Sequence, residues 1–141
     1  MYRLAIQIHY WSADVERLLR HYVETLDFEL VHRQPAEPPA EFCILRLGDA
    51  QIMIGSDPAG LVALGRSDRG VLEAAAARIG RPGAVSVYIG VDEIDAYHDR
   101  VLGNGAEVVE PIWNAPWGNR QFTVQDLDGN LTTFFGMEPA G

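Results

Sequence analysis

The sequence predicts an α+β fold made of two tandem modules, each with the element order β-α-β-β-β. Short stretches that alternate polar and apolar residues, typical of half-buried strands, occur on both sides of residues 56–83, and each group includes one amphipathic helical stretch. Three segments also match at an offset near eighty residues, namely 13–16 with 92–95, 29–31 with 107–109 and 52–54 with 132–134. Because such self-similarity indicates a duplication, we expect one domain with module 1 at about 1–55, a connector at 56–83 and module 2 at about 84–137.

The first module begins with an alternating strand at residues 4–9, where Ile6 and Ile8 share one face and Gln7 and His9 share the other. Ser12 is the predicted N-cap of a helix. Its apolar residues follow the three-four spacing of one buried stripe: Val15, Leu18, Leu19, Tyr22, Val23 and Leu26. Three strands are then predicted at 28–33, 41–47 and 51–55, with a proline-rich loop at 34–39.

The second module repeats this order after a connector in which Asp68 is the predicted start of a helix that ends at Ile79. A strand at 85–91 precedes a helix capped by Asp92, and the Gly103-Asn104-Gly105 sequence predicts a left-handed helix end. Further strands are predicted at 107–110, 121–125 and 131–135. Asp128-Gly129-Asn130 predicts the positive-φ positions of a tight hairpin between the last two.

Composition narrows the class of protein. A chain of 141 residues with 48% hydrophobic residues can bury one good core. We expect an intracellular, cytoplasmic protein, since no apolar run approaches membrane-span length and no signal peptide is evident. Cys43 is the only cysteine and is predicted to be a small buried residue. The chain has 20 acidic and 11 basic residues, a formal charge of −9. This charge disfavours binding to nucleic acid or to anionic membranes and favours binding of cationic ligands.

The strongest motif lies near the C-terminus, where residues 116–130 read PWGNRQFTVQDLDGN and residues 134–136 read FFG. It resembles the W-G-x-R-x-F-x-V-x-D-x-D-G-N signature of the vicinal oxygen chelate superfamily, the glyoxalase, bleomycin-resistance and dihydroxybiphenyl dioxygenase-like group. The resemblance implies a fold in which two β-α-β-β-β modules surround a cleft, often across a homodimer with exchanged arms. It is closest to the bleomycin-resistance branch, whose members are acidic, metal-free dimers that bind a cationic antibiotic in such a cleft.

The resemblance also implies where a metal would be bound. Metal-dependent relatives use His, Gln or Glu side chains on the first and last strand of each module, and those positions fall here on Gln7, Met53, Ser86 and Thr133. Of these, only Gln7 is a plausible ligand, since a thioether and two hydroxyls are poor donors for such metals. His9 is the best substitute, although a satisfied histidine is the favoured interpretation. We therefore expect neither a metal nor a cofactor.

Strand alternation predicts which side chains face the cleft, and Gln51 and Leu131 belong to this face. The candidate ligand-binding residues are Gln7, His9, Met53, Ser86, Tyr88, Thr133 and Phe135, with Trp113 and Trp117 on the loop at its rim. This aromatic, mostly neutral lining favours holding a flat molecule over activating water.

Several of these signals also have a purely structural interpretation. Trp117 packing against Arg120 is as good an account as a ligand platform, and Arg120 is expected to pair with an acidic neighbour. The aspartates of the DLDGN turn are explained by turn geometry. Tyr22 and Tyr97 are expected to be core residues with solvated hydroxyls.

Three functions are compatible with these patterns. The favoured one is a non-catalytic homodimer that binds or sequesters a small aromatic or cationic molecule such as an antibiotic. The second is a metal-dependent lyase, isomerase or dioxygenase with a relocated metal at Gln7 and His9. The third is a regulatory or scaffolding dimer with a vestigial cavity.

Overall fold

The computed structural model describes residues 6–56, 76–79, 81–83 and 85–137. Its first half contains β1 (Ile8–Trp11), α1 (Val15–Arg20) with a π-helical extension (His21–Thr25), β2 (Glu29–Gln34), β3 (Phe42–Leu47) and β4 (Ala50–Gly55). Its second half contains β5 (Val87–Gly90), α2 (Ile94–Gly103), β6 (Glu107–Asn114), β7 (Asn119–Gln125) and β8 (Leu131–Met137). The predicted α+β class and the repeated β-α-β-β-β order are confirmed, whereas most of the helix predicted from Asp68 lies outside the described residues.

Each module forms its own four-stranded mixed sheet. The strand order is β1-β4-β3-β2 in the first sheet and β5-β8-β7-β6 in the second. The first strand of each module pairs in parallel with its last strand, and the other pairs are antiparallel. The first strand is therefore an edge strand in both sheets, so the two modules have the same topology.

The N-terminus of α1 is capped differently from the prediction. Asp14 accepts a hydrogen bond from the backbone N–H of Arg17 through its carboxylate at 3.1 Å. Ser12, the predicted cap, instead accepts from the backbone N–H of Asp14 at 3.2 Å. Both side chains are good caps in isolation, and the position of the first helical turn decides between them. The predicted apolar stripe is confirmed, because its residues are buried or packed on the core.

The N-cap of the second helix is Glu93, one residue after the predicted Asp92, and the Glu93 side chain makes no capping hydrogen bond. Its C-terminus does match the prediction. Gly105 has φ of 93°, its N–H bonds to the carbonyl of Leu102, and the N–H of Ala106 bonds to the carbonyl of Val101, both at 3.0 Å. This is a Schellman end, which glycine permits because it tolerates positive φ.

The helix-covered faces of the two sheets share one hydrophobic core. The modules are joined there by tyrosine hydroxyls: Tyr22 donates to Asp126 at 2.8 Å, and Tyr97 donates to the carbonyl of Leu26 at 2.7 Å. Burial, reinforced by the charge of Asp126, raises the pKa of Tyr22 well above its ordinary value, so the hydroxyl remains a donor. The prediction of a solvated hydroxyl was wrong for Tyr22, which is buried and reaches a partner in the other module. Tyr97 is partly buried, and its hydroxyl also bonds across to the other module.

Asp126 also organises the turn between β7 and β8. Its carboxylate accepts from the backbone N–H groups of Asp128 and Asn130 and from the Asn130 side chain, at 2.8–2.9 Å. Among the predicted positive-φ positions only Gly129 has one, at 88°. The structural interpretation of the DLDGN sequence is confirmed, with a wider turn than the predicted tight hairpin.

Strand bounds differ from the predictions in two places that matter for the site. The first strand starts at Ile8 and continues to Trp11, and β6 continues past Glu110 to Asn114. Trp113 therefore lies on a strand, not on the predicted loop. Cys43 is fully buried, as predicted, and burial raises the pKa of its thiol to about 12.

One face of each sheet carries none of the helices of the described residues, and we call it the uncovered face of that sheet. Since the helices and both covered faces meet in the common core, the uncovered faces point away from that core. Within the described part of the chain, no helix is long and apolar enough to span a membrane.

Candidate functional site

The uncovered face of the second sheet carries a line of side chains that crosses all four strands. Tyr88 on β5 is the register partner of Thr133 on β8, Thr133 of Thr123 on β7, and Thr123 of Glu110 on β6. We call these four residues the second-sheet row. Thr133 and Thr123 are almost completely buried, whereas Tyr88 is 55% exposed. Polar groups in such a position must bond to one another or lose stability.

Hydrogen bonds link Thr133, Thr123 and Glu110, with each hydroxyl donating towards Glu110. The hydroxyls of Thr123 and Thr133 are 2.7 Å apart, and that of Thr123 lies 3.1 Å from Oε1 of Glu110. A carboxylate can only accept, so Thr123 donates to Glu110. Its single proton is then used, and Thr133 must donate to Thr123. The row is thus a chain of hydrogen bonds that ends on Glu110.

Two β-bulges place Glu110 and Trp113 on this face. Val108 pairs with Val124 on the covered face, but the register shifts before Glu110, which pairs with Thr123. It shifts again before Trp113, which pairs with Gln121. Strict alternation would send Val108 and Glu110 to one face and Trp113 to the other. Each bulge adds one residue and re-aims the side chains after it.

Trp113 and Trp117 form an aromatic pair beside the row. Their ring centroids are 5.8 Å apart with an interplanar angle of 85°, an edge-to-face arrangement. Trp117 is 62% exposed, and its indole N–H donates to Oε1 of Gln121 at 3.2 Å. Gln121 in turn donates to Glu110 at 3.2 Å. One glutamine therefore connects the aromatic pair to the carboxylate.

Arg120 has bonding partners outside this network. Its guanidinium pairs with Asp95 on α2 at 2.9 Å and bonds to Asn114. The predicted acidic partner is confirmed. The side chain therefore ties β7 to the helix on the covered side, and Trp117 contacts Trp113 and Gln121 on the other side.

The uncovered face of the first sheet has an equivalent line with different chemistry. His9, Met53, Ile44 and His32 are successive register partners across β1, β4, β3 and β2, and we call them the first-sheet row. The centroid of the His9 ring lies 4.2 Å from that of Trp11 and 6.3 Å from that of Phe42. Burial lowers the pKa of His9, which favours the neutral imidazole.

A cavity of about 970 Å3 lies between the edge strands of the two sheets. Its lining includes four of the predicted site residues, Gln7, His9, Ser86 and Tyr88. The side-chain amide of Gln7 donates to that of Gln51 at 3.3 Å. This volume is large enough for a small organic molecule.

The structure divides the predicted ligand-binding residues into two groups. The first group consists of His9 and Met53 on the first uncovered face and Gln7, which lies before β1 at the cavity. The second group lies with the second sheet and consists of Tyr88, Trp113, Trp117, Thr133 and Phe135, together with Ser86, which precedes β5. Among the described residues, no hydrogen bond or ring contact joins the two uncovered faces. The two groups approach each other at the cavity between the edge strands, whose lining includes His9 and Tyr88.

Sequence reasoning missed three residues of the network, Gln121, Thr123 and Glu110. Gln121 and Thr123 alternate with the buried Phe122 and Val124, so the strand pattern could have identified them. Glu110 could not have been found by alternation, because its orientation depends on a bulge.

The four positions that the resemblance assigned to metal ligands do not fit a metal. Met53 offers a thioether, and Thr133 and Ser86 offer neutral hydroxyls, all of which are poor ligands for such metals. The alternative pair offers two donors, the amide oxygen of Gln7 and the imidazole of His9, which packs against two aromatic rings, whereas a protein metal site needs three or four. Within residues 6–56, 76–79, 81–83 and 85–137, no three His, Cys, Asp or Glu side chains are grouped to hold an ion.

Comparison with known proteins places the chain in a family. The model of the Glyoxalase/Bleomycin resistance protein/Dioxygenase superfamily matches residues 6–134. A comparison with curated proteins gave no significant match.

Solved structures with the same fold include three informative ones. TioX from Micromonospora sp. ML1 has 24% identity and a TM-score of 0.69, over 98% of this chain and 99% of that chain. TnmS3, an antibiotic binding protein from Streptomyces sp. CB03234, has 22% identity and a TM-score of 0.64, over 96% and 100%. A superfamily member from Sphaerobacter thermophilus DSM 20745 has 21% identity and a TM-score of 0.66, over 96% and 98%.

The family match and the structural similarities agree with the observed architecture. The match covers most of the chain, and both sheets have the strand order expected for paired β-α-β-β-β modules. The chain has the vicinal oxygen chelate fold and belongs to the glyoxalase, bleomycin resistance protein and dioxygenase superfamily.

Proposed function

We propose that this protein binds and sequesters a planar aromatic small molecule without a metal ion and without changing the molecule chemically. The observation that carries the proposal is the exposed pair Trp113 and Trp117, held by Gln121 beside the second-sheet row. Large rigid rings next to a few oriented polar groups are typical of small-molecule sites. The donor set at Gln7, Met53, Ser86 and Thr133 does not suit metal catalysis.

An antibiotic is the class of guest that the comparisons favour. TnmS3, which shares this fold across its whole length, is described as an antibiotic binding protein. Many antibiotics contain fused or linked aromatic rings, which two tryptophans could cover on one side.

We also propose a homodimer, because each uncovered face needs a partner to become a cleft. Trp113, Trp117 and Tyr88 are exposed on the second sheet, and the first-sheet row is only partly covered. Exposed apolar patches of this kind mark interaction sites. In a dimer, the first sheet of one copy would face the second sheet of the other, and two equal clefts would result. Sedimentation at micromolar concentration tests this, and a protein that stays monomeric would contradict it.

The binding function is tested by titrating the protein with a panel of neutral and cationic polycyclic aromatic compounds, with tryptophan fluorescence as the readout. We expect saturable quenching by at least one compound, and its recovery unchanged by mass spectrometry. Replacing Trp117 with alanine should weaken binding about tenfold, since a buried aromatic contact is worth about 1–2 kcal/mol.

The matched control is Leu127→Ala, which removes an exposed apolar side chain from the turn between β7 and β8. It should leave affinity unchanged. Protein purified without chelator should bind equally well after dialysis against EDTA. A chemically modified product, or binding that requires about one tightly held transition metal per chain, would overturn the proposal.

A further inference from the structure

Glu110 is a carboxylate that the fold orients and that has no ion pair with the part of the chain that the structure describes. All 11 basic residues of the chain are arginines, and the ion pairs of the described residues use Glu16, Glu29, Asp27, Asp95 and Asp99 as acids. None of these pairs includes Glu110. Its two donors, Gln121 and Thr123, are both neutral and both bond to Oε1. The second oxygen, Oε2, forms no hydrogen bond with the described residues.

The carboxylate is partly buried on the sheet face. Two hydrogen bonds to Oε1 fix the orientation of the side chain. They also leave Oε2 as the free acceptor of a preorganised site.

The aromatic pair lies within the same network. Gln121 accepts from Trp117 with its oxygen and donates to Glu110 with its nitrogen, so only one amide group separates the indole N–H from the carboxylate. Trp113 is the register partner of Gln121 on the neighbouring strand. A ring stacked on these tryptophans would bring a substituent at its edge towards Glu110.

We propose that Glu110 selects guests in which a protonated nitrogen, an amine or amidinium, is attached to the planar aromatic system. The cation donates to Oε2, and its charge is also favoured by the faces of Trp113 and Trp117. The chain's net charge of −9 assists the approach of such a guest. This inference rests on the proposed binding of aromatic molecules and specifies their chemical class.

The test compares two three-ring probes that differ in charge, 9-aminoacridine, which is cationic at neutral pH, and acridone, which is neutral. The wild-type protein should bind 9-aminoacridine at least about tenfold more tightly, because a charge-assisted hydrogen bond contributes more than a neutral contact. Its affinity should fall as sodium chloride is raised from about 0.05 M to about 0.5 M, because salt screens the attraction between charges, while that of acridone should not. Neither measurement depends on a variant that folds.

Variants then assign the effect to one side chain. Glu110→Gln should weaken 9-aminoacridine binding about tenfold and leave acridone binding unchanged. Glu107→Gln, the matched control, removes an exposed carboxylate from the same strand and should change neither affinity. Thermal melting of both variants verifies that they are folded.

The outcomes separate this inference from the proposed function. Equal wild-type affinity for both probes, or an equal loss of both in Glu110→Gln, would overturn cation selection while aromatic binding stands. Saturation by neither probe, nor by any member of the wider panel, would overturn both.

Discussion

The two uncovered faces are built on the same topology and carry opposite chemistry. The first-sheet row places Met53 and Ile44 between two imidazoles, whereas the second-sheet row places two hydroxyls between a phenol and a carboxylate. The register positions are equivalent, so the difference lies in the side chains and not in the backbone. Duplication thus preserved the sheets while the two faces diverged into an apolar surface and a hydrogen-bonded one.

A pair of glycines shows the same divergence at one equivalent register position. In the first sheet Trp11 on the edge strand pairs with Gly55 on its neighbour, and in the second sheet Gly90 on the edge strand pairs with Phe135. A Cβ on Gly90 would lie 3.3 Å from the Phe135 ring, and one on Gly55 would lie 2.8 Å from Nε2 of His9. Each sheet therefore combines an aromatic ring with a glycine, on exchanged strands.

The largest expected effect is a difference in stability between substitutions at the central positions of the two rows. Thr123→Val removes the acceptor of the nearly buried Thr133 hydroxyl and one donor of Glu110, so the free energy of unfolding should fall by about 2–3 kcal/mol. Ile44→Val, at the equivalent position of the first sheet, should cost about 0.5–1.5 kcal/mol. Urea unfolding measures both.

The double variant Thr123→Val/Thr133→Val sharpens this comparison. Removing both hydroxyls leaves no orphaned partner between them, so its cost should be less than the sum of the single costs. A Thr123→Val cost no greater than that of Ile44→Val would show that the hydrogen-bond chain contributes nothing to stability.

The next effect concerns the two tyrosine hydrogen bonds that join the modules. Tyr22→Phe removes a bond to the buried carboxylate of Asp126 and should lower the free energy of unfolding by about 2 kcal/mol. Tyr97→Phe removes a bond to a backbone carbonyl and should cost about 1 kcal/mol. Equal costs in chemical denaturation would mean that the charge of Asp126 does not strengthen the first link.

The smallest effect is a pH dependence that resides in the first module. Burial lowers the pKa of both His9 and His21; at His21, Asp126 opposes the shift and Arg17 adds to it. The unfolded chain then binds protons that the folded chain does not, so stability is fully present above about pH 6.5 and is lost as pH falls through the lowered pKa values.

Melting temperatures measured from pH 7.5 to pH 5 should show this loss. It should be reduced in His9→Gln and again in His9→Gln/His21→Gln. An unchanged slope in the double variant would assign the pH dependence to carboxylates instead.

The sequence predicted the fold and part of the site for identifiable physical reasons. Alternation in β4 and β8 placed Met53 and Thr133 on the uncovered faces because neither strand contains a bulge. The helix caps moved from Ser12 to Asp14, which makes the capping bond, and from Asp92 to Glu93, which makes none, because the position of the first turn is set by packing and not by the best capping side chain. The partner of Tyr22 could not be predicted, because Asp126 is 104 positions away and comes close only when the modules pack.

The bulge before Glu110 has a counterpart in the first module, where the register shifts between Leu30 and His32. In each case one extra valine, Val31 or Val109, forms the bulge, and the residue after it, His32 or Glu110, reaches the uncovered face. The identity of that next residue can therefore change without disturbing any pairing in the sheet. Deleting Val109 would place Glu110 directly after Val108 in regular alternation, so its carboxylate would remain opposite Thr123 on the uncovered face, and the strand would lose only the local kink and extra twist of the bulge.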